Sequence, residues 1–215
     1  AEKGKTYSQT LLDKKVKKKR LSAEKRDAIL NTIQASADAA DLKGCDLIIE
    51  AVFEDRGLKA KVTKEAEAQL ESSAVFATNT STLPITGLAE ASERPANFVG
   101  LHFFSPVDKM PLVEIICGEQ TSDETLAKAY DYVLQIGKTP IVVNDSRGFF
   151  TSRVFGTFAN EGIAMLGEGM PAAAIENAAF LAGYPVGPLA VTDEVSLTLV
   201  EKIRNQTIKD LQAEG

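Results

Sequence analysis

Apolar residues follow two different spacings along this chain. From Asp46 to Val143, short contiguous apolar runs alternate with stretches where apolar residues return every three or four positions. After Ser146 only the second spacing continues. Contiguous runs rich in β-branched and aromatic residues read as buried strands, and the wider spacing reads as amphipathic helix. Strands are therefore predicted over Asp46 to Val52, Ala74 to Thr78, Phe98 to Phe104, Leu112 to Ile116 and Pro140 to Val143. The unbroken apolar centre of the first marks a parallel strand covered on both faces. A helix over 57–72 would bury Leu58, Val62, Ala66 and Leu70. A short helix follows Pro84, with Ser81 or Thr82 as its N-cap. Another runs from the capping-box pattern Thr121-Ser-Asp-Glu124 to a stop at Gly137, with Leu126, Tyr130, Val133 and Leu134 inward. Strand, helix, strand, helix, strand, strand, helix, strand is the order of an α/β layer fold.

Two helices are predicted over residues 3–35. Ser22 N-caps the second, Leu21 staples it, and Ala28, Ile29 and Ile33 form its apolar side. Past Ser146 the chain reads as all helical. Phe149 to Leu166 carries Phe149, Phe150, Val154, Phe155 and Phe158 for burial, Pro171 to Leu181 is rich in alanine, and Leu197 to Leu211 is helical after a loop at Gly183 to Pro188. The expected organisation is an α/β domain over 1–145 and an all-α domain over 146–215.

Charge narrows the partners. A net charge of -6 does not suit nucleic acid, whose phosphates need a basic surface. No apolar run is long enough to span a bilayer, and no signal peptide opens the chain. Cys45 and Cys117 lie far apart and form no metal or redox motif, and with one histidine no metal site is expected. A reducing, cytoplasmic compartment is expected. The local exception to the acidic balance is Lys14-Lys-Val-Lys-Lys-Lys-Arg20, either a solvated helix face or a patch for an anionic ligand.

The residues with chemistry gather where the predicted strands end. Val52, Phe53 and Glu54 follow the first strand, Asn79 and Ser81 the second, and His102 and Ser105 close the third. In parallel α/β sheets, ligands bind outside those carboxyl ends. His102 is the only histidine, and Glu114 interrupts the apolar strand that follows. A carboxylate in such a strand is costly unless paired. Base and orienting carboxylate is one reading of the two residues; a satisfied core histidine with a solvent-facing glutamate is the other. No G-x-G-x-x-G occurs in this chain.

Six motifs together resemble the 3-hydroxyacyl-CoA dehydrogenase family, most of all the dehydrogenase part of the bacterial multifunctional fatty-acid oxidation α-subunit. They are Ile49-Glu-Ala-Val-Phe-Glu54, Asn79-Thr-Ser-Thr-Leu-Pro-Ile85, Gly100-Leu-His-Phe-Phe-Ser-Pro106, Leu112-Val-Glu-Ile-Ile116, Gly148-Phe-Phe-Thr-Ser-Arg153 and Gly183-Tyr-Pro-Val-Gly-Pro188. The resemblance implies a Rossmann-like NAD-binding domain, incomplete at its N-terminus, followed by a helical domain for substrate and dimerisation. It implies catalytic roles for His102, Glu114 and Ser81. It also implies a cofactor site lined by Val52, Phe53, Glu54, Lys59, Ser81 and Ser105, and substrate contacts from Ser81, Ser152 and the basic arm at Lys18. Ser105 and Ser152 stand where many relatives have asparagine. The family's opening strand, glycine loop and helix, a unit of ~30 residues, would precede Ala1.

The implied activity is NAD-dependent oxidation of (S)-3-hydroxyacyl-CoA within a multifunctional hydratase and dehydrogenase. The implied partners are an acyl-CoA substrate and either a second copy or a thiolase subunit. The alternatives are a stand-alone 3-hydroxybutyryl-CoA dehydrogenase and a non-catalytic protein of the lens crystallin kind on the same fold.

Overall fold

The structure, a computed structural model, describes residues 1–195 together with Glu201, Asn205 and Ile208. The chain divides into two compact units, residues 1–145 and 146–215.

The first unit opens with a helical arm, α1 (Glu2–Lys17) and α2 (Ala23–Asn31), neither of which has a buried residue. Arg26 joins the two helices through Asp13 at 2.9 Å, and Ser22 caps α2 by accepting the N–H of Lys25, as its position predicted. A five-stranded sheet follows. Its strands are β1 (Leu47–Glu50), β2 (Val75–Thr78), β3 (Phe98–Phe103), β4 (Leu112–Cys117) and β5 (Thr139–Asn144), in spatial order β1-β2-β3-β4-β5. The first three are parallel, β4 is antiparallel to β3, and β5 is parallel to β4. Between the strands lie α3 (Arg56–Glu67), α4 (Ile85–Ala89) and α5 (Asp123–Gln135).

The two-residue alternation of strands sorts side chains onto opposite faces. On one face Val75, Ala77, Val99, Leu101, Val113 and Ile115 pack with Ala129 and Val133 of α5 into the main apolar core. The other face carries Glu50, Thr78, Gly100 and Ile116 in one cross-strand row and His102 beside Glu114 in the next. Helix α4 lies over this second face. A Cβ on Gly100 would stand 2.7 Å from Cδ1 of Ile85 and 3.0 Å from Cβ of Ile116, so glycine there is a requirement of close packing.

Three expectations about the elements of this unit need correction. The buried stripe of α3 is Lys59, Thr63, Ala66 and Glu67, with Leu58, Val62 and Leu70 only partly covered. Polar side chains can line that stripe because each finds a partner. Thr63 donates to the Lys59 carbonyl at 2.9 Å, and the Glu67 carboxylate accepts the Ser92 hydroxyl at 2.5 Å and the Glu93 N–H at 2.9 Å. On α5 the buried residues are Thr125, Ala129 and Val133, whereas Tyr130 and Leu134, one position further round, are 40% and 52% exposed. At α4 neither Ser81 nor Thr82 is the N-cap; Pro84 is, and it has no hydroxyl to offer. The unpaired N–H groups of Ile85 and Thr86 are met instead by the Asp145 carboxylate, at 2.8 Å each, which also accepts the Thr86 hydroxyl at 2.6 Å. The opening donors of a helix need an acceptor, and here it comes from far along the chain.

The second unit contains α6 (Thr151–Gly167), α7 (Ala172–Leu181) and α8 (Pro188–Val195), with no strand among the described residues. Helix α6 starts later than predicted, because Gly148 and Phe149 take left-handed backbone, φ 74 and 48. Phe149 is buried, but Phe150 and Val154 are more than half exposed. Pro188, read from sequence as the end of a loop, opens α8. Proline suits a first helical turn, and Leu189 just inside donates its N–H to Glu176 Oε1 at 2.9 Å. Gly162 lets α6 meet Pro188 closely, since a Cβ there would stand 2.5 Å from the proline ring. The predicted helix over Leu197 to Leu211 lies outside the described residues.

Candidate functional site

The pairing of β3 with β4 sets His102 directly opposite Glu114. Cross-strand partners share a face with their Cβ atoms about 5 Å apart, which brings the two side chains into reach. Imidazole Nδ1 and Glu114 Oε2 are 2.7 Å apart. His102 is 6% exposed and Glu114 fully buried. The Phe104 ring stands 4.4 Å from the imidazole, centre to centre. Of the two readings the residues allowed, the solvent-facing glutamate is excluded: the carboxylate is inside and engaged. A carboxylate on one ring nitrogen selects the tautomer and orients the ring.

A second polar cluster occupies the ends of β1 and β2. The Glu50 carboxylate accepts both from Lys59 Nζ, at 3.0 Å to each oxygen, and from the Thr78 hydroxyl at 2.7 Å and the Val52 N–H at 2.6 Å. Glu50 and Lys59 are 5% and 2% exposed, so this is a buried ion pair. Beside it Glu54 accepts the Thr80 hydroxyl, at 2.8 and 2.9 Å, and the Ser81 N–H at 2.6 Å. The ammonium of Lys59 lies 3.9 Å from Glu54, its more distant carboxylate. The backbone continues the network toward the histidine. The Asn79 N–H donates to the Glu50 carbonyl at 2.7 Å, and Asn79 Oδ1 accepts the N–H of Phe103 at 2.9 Å, next to His102.

The structure therefore joins His102 to Glu114, and Glu54 to Ser81 and Lys59. Val52 is half-buried two residues beyond β1, and Phe53 is 86% exposed. Lys59 presents its ammonium to Glu50, Val52 and Glu54 rather than to open solvent. Ser105 is exposed just beyond β3, and Ser152 is half-buried at the start of α6 in the second unit. Lys18 lines a cavity of about 470 Å³ between the arm and the segment after β3, together with Tyr7, Leu11, Lys14, Arg20 and Lys109. Among the described residues no cluster of histidine, cysteine or carboxylate side chains could hold a metal ion, and no helix is long and apolar enough to cross a membrane.

Glu50, Thr78 and Thr80 escaped the sequence reading. Glu50 sits at the end of an apolar strand, and Lys59 four positions before Thr63 and seven before Ala66. A charged residue on each of two buried surfaces is the signal that could have paired them.

An exposed aromatic, Phe53, and a held carboxylate and serine, Glu54 and Ser81, meet at the carboxyl ends of parallel strands, the place where doubly wound sheets take nucleotides. A mainly parallel sheet with that edge, followed by helices among the described residues, defines a Rossmann-like NAD-binding protein with a helical C-terminal domain. The chain belongs to the 3-hydroxyacyl-CoA dehydrogenase family: residues 1–146 match its NAD binding domain and 148–214 its C-terminal domain. It is 40% identical, over 95% of its length, to the fatty acid oxidation complex subunit alpha of Shewanella amazonensis, and 41% identical to that of Idiomarina loihiensis. It spans 29% of the length of each of these relatives. Among solved structures it is similar to (S)-3-hydroxybutyryl-CoA dehydrogenase of Ralstonia eutropha, with a TM-score of 0.92, 35% identity and coverage of 98% of this chain and 75% of that one. The 3-hydroxybutyryl-CoA dehydrogenase of Escherichia coli superposes with a TM-score of 0.89 at 28% identity, covering 94% of this chain and 43% of that one.

Proposed function

We propose that this chain carries the NAD-dependent oxidation of (S)-3-hydroxyacyl-CoA to 3-oxoacyl-CoA in fatty-acid β-oxidation. The observation that carries the reading is the buried His102–Glu114 contact of 2.7 Å at the end of β3. Oxidising a secondary alcohol removes the hydroxyl proton while hydride leaves the same carbon. An imidazole that donates Nδ1–H to Glu114 carries its lone pair on Nε2, where it accepts that proton. Positive charge then forms on the ring, and the adjacent carboxylate balances it. NAD, when bound, supplies the hydride acceptor. Ser81 positions the hydroxyl for transfer, and its backbone is tethered by Glu54.

Val52, Phe53, Glu54 and Ser105 line the cofactor side in this reading, with Lys59 behind Glu54. Lys18 and its neighbours in the basic cavity meet the CoA phosphates, and Ser152 contacts the thioester from the second unit. Residues 1–145 serve the cofactor, and 146–215 serve substrate and dimerisation. The naming of relatives as subunits of a fatty acid oxidation complex supports action within such a complex. The reading places the chain in a multifunctional, cytoplasmic hydratase and dehydrogenase, partnered by a second copy or a thiolase subunit. The similarity to the Ralstonia eutropha enzyme favours a second reading, a stand-alone 3-hydroxybutyryl-CoA dehydrogenase. The experiment is to supply acetoacetyl-CoA and NADH to the protein in its full natural length. NADH should be consumed, and no consumption would overturn the assignment. Rates across acyl-chain lengths then separate the two enzymatic readings.

A further inference from the structure

We infer that Glu50 is a positioning residue for the cofactor side: its buried charge occupies Lys59 and so leaves Glu54 to hold Ser81. This rests on the proposed function, in which Glu54 and Ser81 face the cofactor. Lys59 is 2% exposed, and an ammonium so buried must be matched by a carboxylate. Two lie near it, Glu50 at 3.0 Å and Glu54 at 3.9 Å. Because Glu50 takes the ammonium, Glu54 spends its oxygens on the Thr80 hydroxyl and the Ser81 N–H. Neutralising Glu50 makes Glu54 the counter-ion of Lys59. Its carboxylate is drawn inward, and Thr80 and Ser81 lose the contacts that Glu54 gives them. The cross-strand row makes the arrangement specific, since Glu50 is fixed opposite Thr78, which donates to it, and its own carbonyl holds Asn79. Glu50 itself meets no reacting atom in this scheme.

The test is NADH fluorescence titration of the protein in its full natural length, with thermal unfolding and Ser81 amide hydrogen exchange measured on the same samples. In Glu50→Gln the Kd for NADH should rise about 10- to 100-fold, the scale on which losing a residue that orients a ligand-binding group weakens affinity. Ser81 exchange should quicken with it. Glu50→Asp keeps the charge, and should bring the Kd back to within about fivefold of wild type, since a charged partner still faces Lys59. A folded Glu50→Gln with unchanged Kd overturns the proposal, as does an equal loss in both variants. If Glu50→Gln does not fold, Glu50→Asp decides. A Kd raised by no more than about fivefold, together with faster Ser81 exchange, supports the proposal, because the shorter carboxylate still faces Lys59 but holds it less closely. A Kd and an exchange rate equal to wild type make Glu50 a folding residue only and overturn it. A wild type that binds NADH without reducing acetoacetyl-CoA sinks the functional reading alone, and the Kd comparison still stands. A wild type that does not bind NADH overturns the placement of the cofactor side and this proposal with it.

Discussion

The same strands build both faces of the sheet, yet the faces do different work. Under α5 the inward residues of the central strands are apolar: Val75, Ala77, Val99, Leu101, Val113 and Ile115, with Phe103 packed against them. Under α3 and α4 the inward rows contain Glu50, Thr78, His102 and Glu114. The first face holds the fold by area removed from water, which is indifferent to direction. The second holds its charges only by oriented contacts, so each position on it is specified by its partner. Stability and chemistry are thereby assigned to opposite sides of a single layer one residue thick, and substitutions should separate them.

The largest expected effect is on the polar face. His102→Gln should slow turnover by about 10²- to 10⁴-fold, the usual worth of a general base, with little change in substrate affinity. Steady-state NADH oxidation checks it, and near-normal turnover would remove His102 from the chemistry. One residue earlier the side chain points the other way. Leu101→Ala should cost about 2–5 kcal/mol of stability by urea unfolding, while turnover per folded molecule stays close to wild type. Comparable losses of turnover in the two variants would erase the distinction between faces.

A smaller effect is expected at Gly100, the residue before Leu101 in the strand. Gly100→Ala drives a methyl toward Ile85 and Ile116 and should cost about 1–3 kcal/mol, again by urea unfolding. No loss would show that α4 rides loosely on the polar face. The smallest effect concerns Cys117, at the end of β4. Burial, with a further push from the charge of Asp123, raises this thiol above its ordinary range. The folded chain therefore holds the proton more tightly than the unfolded chain does. Iodoacetamide labelling should stay slow through neutral pH and climb only above the ordinary thiol value of about 8.5. Brisk labelling at neutral pH would contradict that environment.

The layer fold was legible because contiguous apolar runs of strand length have few alternatives once helical segments separate them. All five strands fall where the runs do, within a residue or two at most ends. His102 and Glu114 were legible as a pair because a polar residue inside an apolar strand raises the question of what pairs it. Glu50 and Lys59 were not, since Glu50 sits at a strand end and Lys59 on an amphipathic helix, where charge is ordinarily read as facing water. The same reasoning misplaced the stripe on α3. Apolar spacing could not reveal that Lys59, Thr63 and Glu67 face inward, because the partners of Lys59 and Glu67 come from Glu50, Ser92 and Glu93 on other segments. The start of α8 was missed for a local reason: Gly187 before Pro188 looks like a turn until Glu176 is seen to accept the N–H of Leu189.

Asp145 has a consequence for the order in which the protein is made. It closes the first turn of α4 from 60 residues downstream. At a synthesis rate of about 5–20 residues per second, its acceptor reaches the growing chain roughly 3–12 s after Ile85 does. Until then α4 is a five-residue helix with unmet opening donors, too short to persist alone in water. The side of the sheet that bears His102 and Glu114 thus receives its finished cover only when the last residue of the first unit has emerged from the ribosome.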